Sequence, residues 1–193
     1  MPPTTSPEAT RDRILAAARS EFARYGIAGS RIDRIAKAAR TSKERVYAYF
    51  KSKEALYRHV SAAELTAVAE ATRMDPAGLP EYAGRLHDYY AAHPERYRLM
   101  QWGRLELDAD DTEDPIRATM AGKLKRLRQA QADGALDPSW DPIDILVLLN
   151  QIAAAWAGKI DFLPADPAER ERYMGERRAA VVAAVARLFP AAG

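Results

Sequence analysis

The stretch Ser30-Arg-Ile-Asp-Arg-Ile-Ala-Lys-Ala-Ala-Arg-Thr-Ser42-Lys-Glu-Arg-Val-Tyr-Ala-Tyr-Phe-Lys-Ser-Lys53 decides the fold of this 193-residue chain. It predicts two short helices with a tight break between them. Ser30 is placed to accept the N–H of Asp33, and Asp33 to reach back to the N–H of Ser30, a capping-box arrangement. Ile32, Ile35, Ala36 and Ala39 recur at helical spacing and define one apolar face. Arg40-Thr41 interrupts that pattern. Ser42 is a second N-cap candidate, opening a helix that points Val46, Tyr49 and Phe50 inward. Two short helices joined by a turn of about 3–4 residues form a helix-turn-helix unit, whose second helix can lie in the major groove of DNA.

Charge agrees. From Ser30 to Lys53 there are eight Lys/Arg against two acids, Asp33 and Glu44. A charge run on a lone helix is usually a solvated face. Here it sits on a helix-turn-helix pattern with tyrosines interleaved, which favours a phosphate-binding surface.

Working outward, Arg11, Ile14-Leu15, Ala17-Ala18, Phe22 and Gly26 precede the unit. Ile35-Ala36, Ala39, Ser42 and Tyr47-x-Tyr49-Phe50 lie inside it, and Lys51-x-Lys53-Glu54-x-Leu56-Tyr57 opens the next helix. In this combination the stretch resembles the DNA-binding domain of the tetracycline-repressor (TetR) family of bacterial one-component transcription regulators. The resemblance covers about a quarter of the chain. It implies that Lys43, Glu44, Arg45 and Tyr47 meet base edges or nearby phosphates, and that Ser30, Arg31, Ser42, Tyr49 and Lys53 hold phosphates. Tyr49 can equally be an aromatic packed at the core rim. One departure stands out: Arg40 occupies the turn where the family usually has Gly, so strain or a slightly different turn is expected there.

An all-α chain follows from the rest of the pattern. Ser6-Pro7 starts a first helix, with Ile14, Leu15, Ala18 and Phe22 as its stripe, and Gly26 is placed to end it. Residues 1–6 read as an arm, with Arg11 and Arg13 behind it as candidate backbone contacts. Ser52 caps a long fourth helix that runs to about Arg73, where Asp75-Pro76-Ala-Gly78-Leu-Pro80 breaks it. Helices are expected at 81–92, 95–107, from Pro115 to about Ala132, at 143–160 and at 179–189. The domain expectation is a helix-turn-helix head at 8–68, with its motif at about 31–50, and a helical body at 69–193. Gly103 suggests a close helix approach or a bend. The acidic run Asp108–Asp114 reads as a solvated connection.

The balance of 48% apolar and 29% charged residues is that of an ordinary globular protein. The net charge of +2 divides into +7 over residues 1–60 and −5 over the rest, so one end suits a polyanion and the other does not. There is no cysteine, hence no disulfide framework, thiolate metal site or cysteine nucleophile. No signal peptide and no membrane-length apolar run is legible, and a cytoplasmic protein with no membrane partner is expected. His59, His87 and His93 lack metal spacing, no cofactor motif is present, and nothing motivates an enzyme.

The resemblance further implies a body that encloses an apolar effector pocket and forms a homodimer. Pocket candidates are Tyr89, Tyr90, Arg98, Met100, Trp102, Asn150, Gln151 and Trp156. Residues 143–160 are apolar nearly all round, and a helix of that kind is buried on every side. With 179–189 they match the place where the family forms its dimer interface, giving Val147, Ala154, Ala180, Ala184 and Leu188 as candidates. Two core helices of a single chain are the alternative. The expected activity is operator binding as a dimer, relieved by a small effector. A ligand-independent or activating regulator is the first alternative, and a helical enzyme with an incidental basic patch the second.

Overall fold

The computed structural model describes residues 6–107, 115–158 and 162–190. Helices are the only regular elements among the described residues. In chain order they are α1 (Pro7–Gly29), α2 (Ile32–Ala38), α3 (Lys43–Tyr49), α4 (Lys53–Thr72), a 3-10 turn (Pro76–Gly78), α5 (Leu79–Ala92), α6 (Pro94–Glu106), α7 (Pro115–Ala132), α8 (Pro142–Ala153) and α9 (Pro167–Leu188). Contacts divide them into two compact units. The first is Met1–Leu65 with Glu95–Pro115, and the second is Thr66–Pro94 with Ile116–Gly193. The helix-turn-helix unit therefore recruits α6, which lies some forty residues further along the chain.

The core of the first unit follows the predicted stripes. Ile14, Ala18 and Phe22 of α1 are fully buried against Ile35, Val46, Leu56 and Leu99. Burying an aliphatic or aromatic side chain of this size contributes about 1.5–3 kcal/mol. Phe22 meets Tyr57 edge to face at 5.4 Å. Tyr57 also donates from its hydroxyl to the Leu99 carbonyl at 2.8 Å, and Gly103 one turn on leaves room for its ring. Glu64 of α4 is 2% exposed and lies between Arg19 of α1 at 2.5 Å and Arg96 of α6 at 3.2 Å. A buried carboxylate held by two guanidiniums ties three helices; only loss of both cations would leave an uncompensated buried charge. At the far end of α6, Glu106 accepts the Ala28 N–H at 2.6 Å, next to the break in α1 at Gly26. Gly26 has φ 73 and ψ −177, a conformation essentially restricted to glycine, so the axis of α1 breaks there as its sequence position suggests.

In the second unit α5 packs on α8 and α9 through Leu86, Ile145, Leu149, Val181 and Val185, all buried. A Cβ on Gly84 would stand 3.0 Å from Val182 Cγ2, so the α5–α9 approach depends on glycine. Trp140 closes one end edge to face on Phe189 at 5.0 Å. The α7 helix ends where Asp133-Gly134 suggested. Gly134 takes φ 76, and the N–H of Ala135 returns to the Ala130 carbonyl at 2.8 Å.

Several boundaries differ from expectation. The Ser30–Asp33 capping box does not form. Arg31 is the N-cap of α2 without a side-chain bond, and the buried Ser30 hydroxyl donates to the Ile27 carbonyl at 2.7 Å. Ser30 closes the preceding turn and leaves the helix start open. The α8 helix ends at Ala153, short of 160, because Ala154–Gly158 turn away and Gly158 takes φ 74. Nor is it buried all round: Ile143, Val147 and Leu148 are 48%, 51% and 38% exposed. The α9 helix begins twelve residues before 179, capped by Asp166, whose carboxylate accepts the Glu169 N–H at 2.9 Å. The 108–114 run, Lys159–Ile160 and most of the N-terminal arm lie outside the described residues.

The α2–α3 turn is a Schellman motif. The Thr41 N–H reaches the Ala36 carbonyl at 3.0 Å and the Arg40 N–H the Lys37 carbonyl at 3.2 Å. Its left-handed position is Arg40, with φ 53. An L-residue there costs roughly 1–2 kcal/mol, of which glycine's greater unfolded-state freedom would return about half. Arg40→Gly is thus expected to stabilise the protein by about 0.5–1 kcal/mol and to raise the melting temperature by roughly 1–4 °C in thermal denaturation. A fall would mean that the exposed guanidinium contributes more than the strain removes.

Candidate nucleic-acid interface

Recognition geometry starts from the anchoring of α3. The Ser42 hydroxyl accepts the Arg45 N–H at 3.2 Å and its carbonyl accepts the Val46 N–H at 3.1 Å, fixing the first turn. Val46 at 1% and Phe50 at 2% exposure hold the inner face in the core. With those two fixed, helical spacing turns Lys43, Glu44, Arg45, Tyr47 and Ala48 outward, and all five are exposed. Tyr47 is 42% exposed, so its ring is open to an outside partner. The Glu44 carboxyl is held below the usual carboxylate range, first by the backbone N–H at the helix start and then by the Ser42 hydroxyl. It therefore stays an acceptor at neutral pH. Lys43 reaches Asp33 of α2 at 3.4 Å, an exposed pair that contributes little and can open when a phosphate competes.

The remaining predicted contact residues divide. Arg31 and Ser42 are exposed at the mouths of α2 and α3. Ser30 is buried at 4% and its hydroxyl is committed internally. Lys53 donates to the carbonyls of Ala28 at 3.2 Å and Ser30 at 3.4 Å, clamping the α1–α2 junction. Tyr49 is half-buried beside Phe50 and donates its hydroxyl to the Pro7 carbonyl at 3.0 Å, pinning the start of α1 to α3. Arg13 donates to the Ala39 carbonyl at 3.0 Å and so caps α2, whereas Arg11 stays exposed over the Phe50 ring. Sequence reasoning did not single out Glu21. This acid accepts the Arg31 N–H at 3.0 Å and Arg34 Nε at 2.6 Å, and it orients both arginines at the start of α2. The Arg34 guanidinium also lies 4.4 Å over the Tyr25 ring, and its bond to Glu21 raises its pKa further. No local pattern announces Glu21, because its partners lie ten or more residues away.

Pocket candidates are divided between the units: Arg98, Met100 and Trp102 in the first, and Tyr89, Tyr90, Asn150, Gln151 and Trp156 in the second. Asn150 finds its partner on its own helix, donating to the Leu146 carbonyl at 2.7 Å, while Gln151 is exposed. Trp156 packs edge to face on Tyr173 at 6.0 Å beneath Arg177. A recess of about 400 Å³ opens on the first unit, lined by Arg13, Ser20, Glu21, Arg24, Tyr25 and Arg34 among others, and contains none of these candidates. Of the dimer candidates, Val147, Ala180 and Leu188 are exposed and Ala154 and Ala184 half-buried. Among the described residues no helix is long and apolar enough to cross a membrane, and no group of three or more His, Cys, Asp or Glu could hold a metal ion.

An outward-facing, basic recognition helix held by a three-helix core defines a helix-turn-helix DNA-binding protein. Residues 14–60 match the model of bacterial regulatory proteins of the tetR family, and residues 78–187 that of the tetracyclin repressor-like C-terminal domain. The chain belongs to the tetR family of transcriptional regulators. It is 39% identical over 153 residues to the HTH-type transcriptional repressor SCO4008 of Streptomyces coelicolor, covering 78% of this chain and 79% of that protein. To the HTH-type transcriptional repressor NicS of Pseudomonas putida it is 38% identical over 139 residues, 67% of this chain and 60% of that one. The crystal structure of the regulator SCO4942 from Streptomyces coelicolor superposes with a TM-score of 0.77 at 56% identity, covering 94% and 98% of the two chains.

Proposed function

We propose that this protein is a homodimeric repressor in the cytoplasm that binds a palindromic operator and is released by a small-molecule effector, with no catalytic activity. The exposed row Lys43, Glu44, Arg45 and Tyr47 on an internally anchored α3 carries this reading. Lys43 and Arg45 suit acceptors on guanine or nearby phosphates, Glu44 suits the cytosine amino group, and Tyr47 offers an apolar face to thymine methyls. Arg31 and Ser42 flank them as backbone contacts, which set register without reading sequence. Two such heads on one dimer would enter successive grooves about 34–36 Å apart. The effector acts by favouring a state in which that spacing is wrong, so operator and effector weaken each other by the same factor.

The test begins with an operator selected from a random duplex library, followed by binding titrations over a range of salt. Tyr47→Ala is expected to weaken operator binding about 10- to 100-fold while leaving random-duplex binding nearly unchanged. Equal losses on both duplexes would reduce Tyr47 to a backbone contact. A salt dependence with no slope would remove the DNA-binding reading altogether, since each neutralised phosphate contributes roughly −0.9 to it.

A further inference from the structure

The α7 helix places one cation where no carboxylate among the described residues balances it. Lys123 is half-buried, and among the described residues its ammonium donates only to the Tyr82 hydroxyl, at 2.8 Å, while lying 5.4 Å over the same ring. Its neighbours are cations already committed elsewhere. Arg85 donates to the Thr72 and Arg73 carbonyls at 2.8 and 3.0 Å and caps the carbonyl end of α4, while Arg126 donates to that of Met74 just beyond it at 3.5 Å. No carboxylate pairs with Lys123 among the described residues. Tyr82, 0% exposed, lies beside Thr72, whose hydroxyl donates to the Val68 carbonyl at 2.6 Å. A partly dehydrated ammonium facing a neutral phenol is unfavourable, and an anion from outside is the group that would relieve it.

We infer that Lys123, with the Tyr82 hydroxyl beside it, is the anchor for the carboxylate of a small-molecule effector. This rests on the reading of the chain as an effector-released repressor and names the chemistry of the effector. A carboxylate at Lys123 withdraws ammonium donors from Tyr82. Thr72, beside Tyr82 and bonded to the Val68 carbonyl, then registers that change in the last turns of α4. Burial and the Arg126 charge hold the Lys123 pKa down to about 8. A bound anion pulls it back up. Affinity should therefore be flat between about pH 6 and 8, where the carboxylate is ionised and the amine protonated, and fall about tenfold per unit above it as the unliganded amine loses its proton.

Isotope-coded acetylation of the full-length protein at pH 8, read peptide by peptide, tests this with the exposed Lys125 as internal standard. Benzoate, hexanoate and inorganic phosphate are titrated in, with benzamide and hexanamide as neutral counterparts. The expected result is several-fold slower acetylation of Lys123 with a carboxylate, no change at Lys125 and no effect of the amides. Lys123→Met should weaken carboxylate binding about 10- to 100-fold, measured by calorimetry on protein whose helical content is unchanged. Protection by phosphate alone, equal protection by the amides, or none with any anion up to about 10 mM overturns the inference. Operator binding is measured on the same samples. Its absence alongside a protected Lys123 defeats the repressor reading and leaves the anion site standing; the reverse defeats the anion site alone.

Discussion

Gly103→Ala should destabilise the protein by about 2–3 kcal/mol, lowering the melting temperature of the full chain by roughly 5–10 °C. A Cβ at this position of α6 would collide with the Tyr57 hydroxyl and stand 3.1 Å from its Cζ and 3.2 Å from its Cε1. The tyrosine has no room to yield. It is 2% exposed, its hydroxyl donates to the Leu99 carbonyl and its ring is wedged against Phe22. Either α6 shifts outward, straining the Glu64–Arg96 pair and the Glu106–Ala28 bond, or the ring leaves its slot. A double-mutant cycle with Tyr57→Phe separates the two terms. Removing the hydroxyl alone costs about 1 kcal/mol for its hydrogen bond. In the Gly103→Ala background the same change should restore part of the stability, because the closest clashing atom is gone while the ring contacts at 3.1 and 3.2 Å remain. Additive losses would show that α6 approaches α4 less closely than these distances state.

The part of this molecule legible in the sequence is the part whose signals are local. Ser42, Val46 and Phe50 fix α3 within eight residues, and Arg40 marked its own strain by standing where a left-handed residue is needed. The outward row on α3 followed from spacing alone. What escaped depended on distant partners. Lys53 and Arg13 sit in a basic region and read as phosphate contacts, and Tyr49 as either that or a core-rim aromatic, yet each donates to a carbonyl 25 to 42 residues away. A cation that caps a helix and a cation that meets a phosphate look alike in one dimension. Lys123 escaped for a related reason: nothing local sets it apart from Lys125, Arg126 and Arg128, and only the fold turns it toward Tyr82. The recruitment of α6 to the first unit had no advance sign beyond Gly103 itself.

The α8 helix posed the opposite problem. Its uniform apolarity said that every face needs cover, but the described chain covers only Ile145, Leu146, Leu149 and Ala153. Ile143, Val147 and Leu148 form a stripe one turn long at helical spacing, and Leu188 of α9 is 39% exposed. If a second copy supplies the missing cover, Val147→Arg should convert dimers to monomers at micromolar concentration. The twofold axis places the new charge twice in one interface, and an unpaired buried charge costs several kcal/mol each time. Val147 is already 51% exposed in the single chain, so the isolated fold has no reason to change and helical content should be preserved. The effect on DNA is larger than the effect on assembly alone. A dimer presents its second head at high effective concentration once the first is seated, and losing that gain weakens operator binding about 10²- to 10⁴-fold. Random-duplex binding, which needs only one basic head, should fall far less. Sizing the variant by light scattering and titrating it against operator and random duplex reads both effects. If Val147→Arg remains dimeric with undiminished operator affinity, the paired surface lies elsewhere on the molecule, and the apolar stripe on α8 faces something other than a second copy.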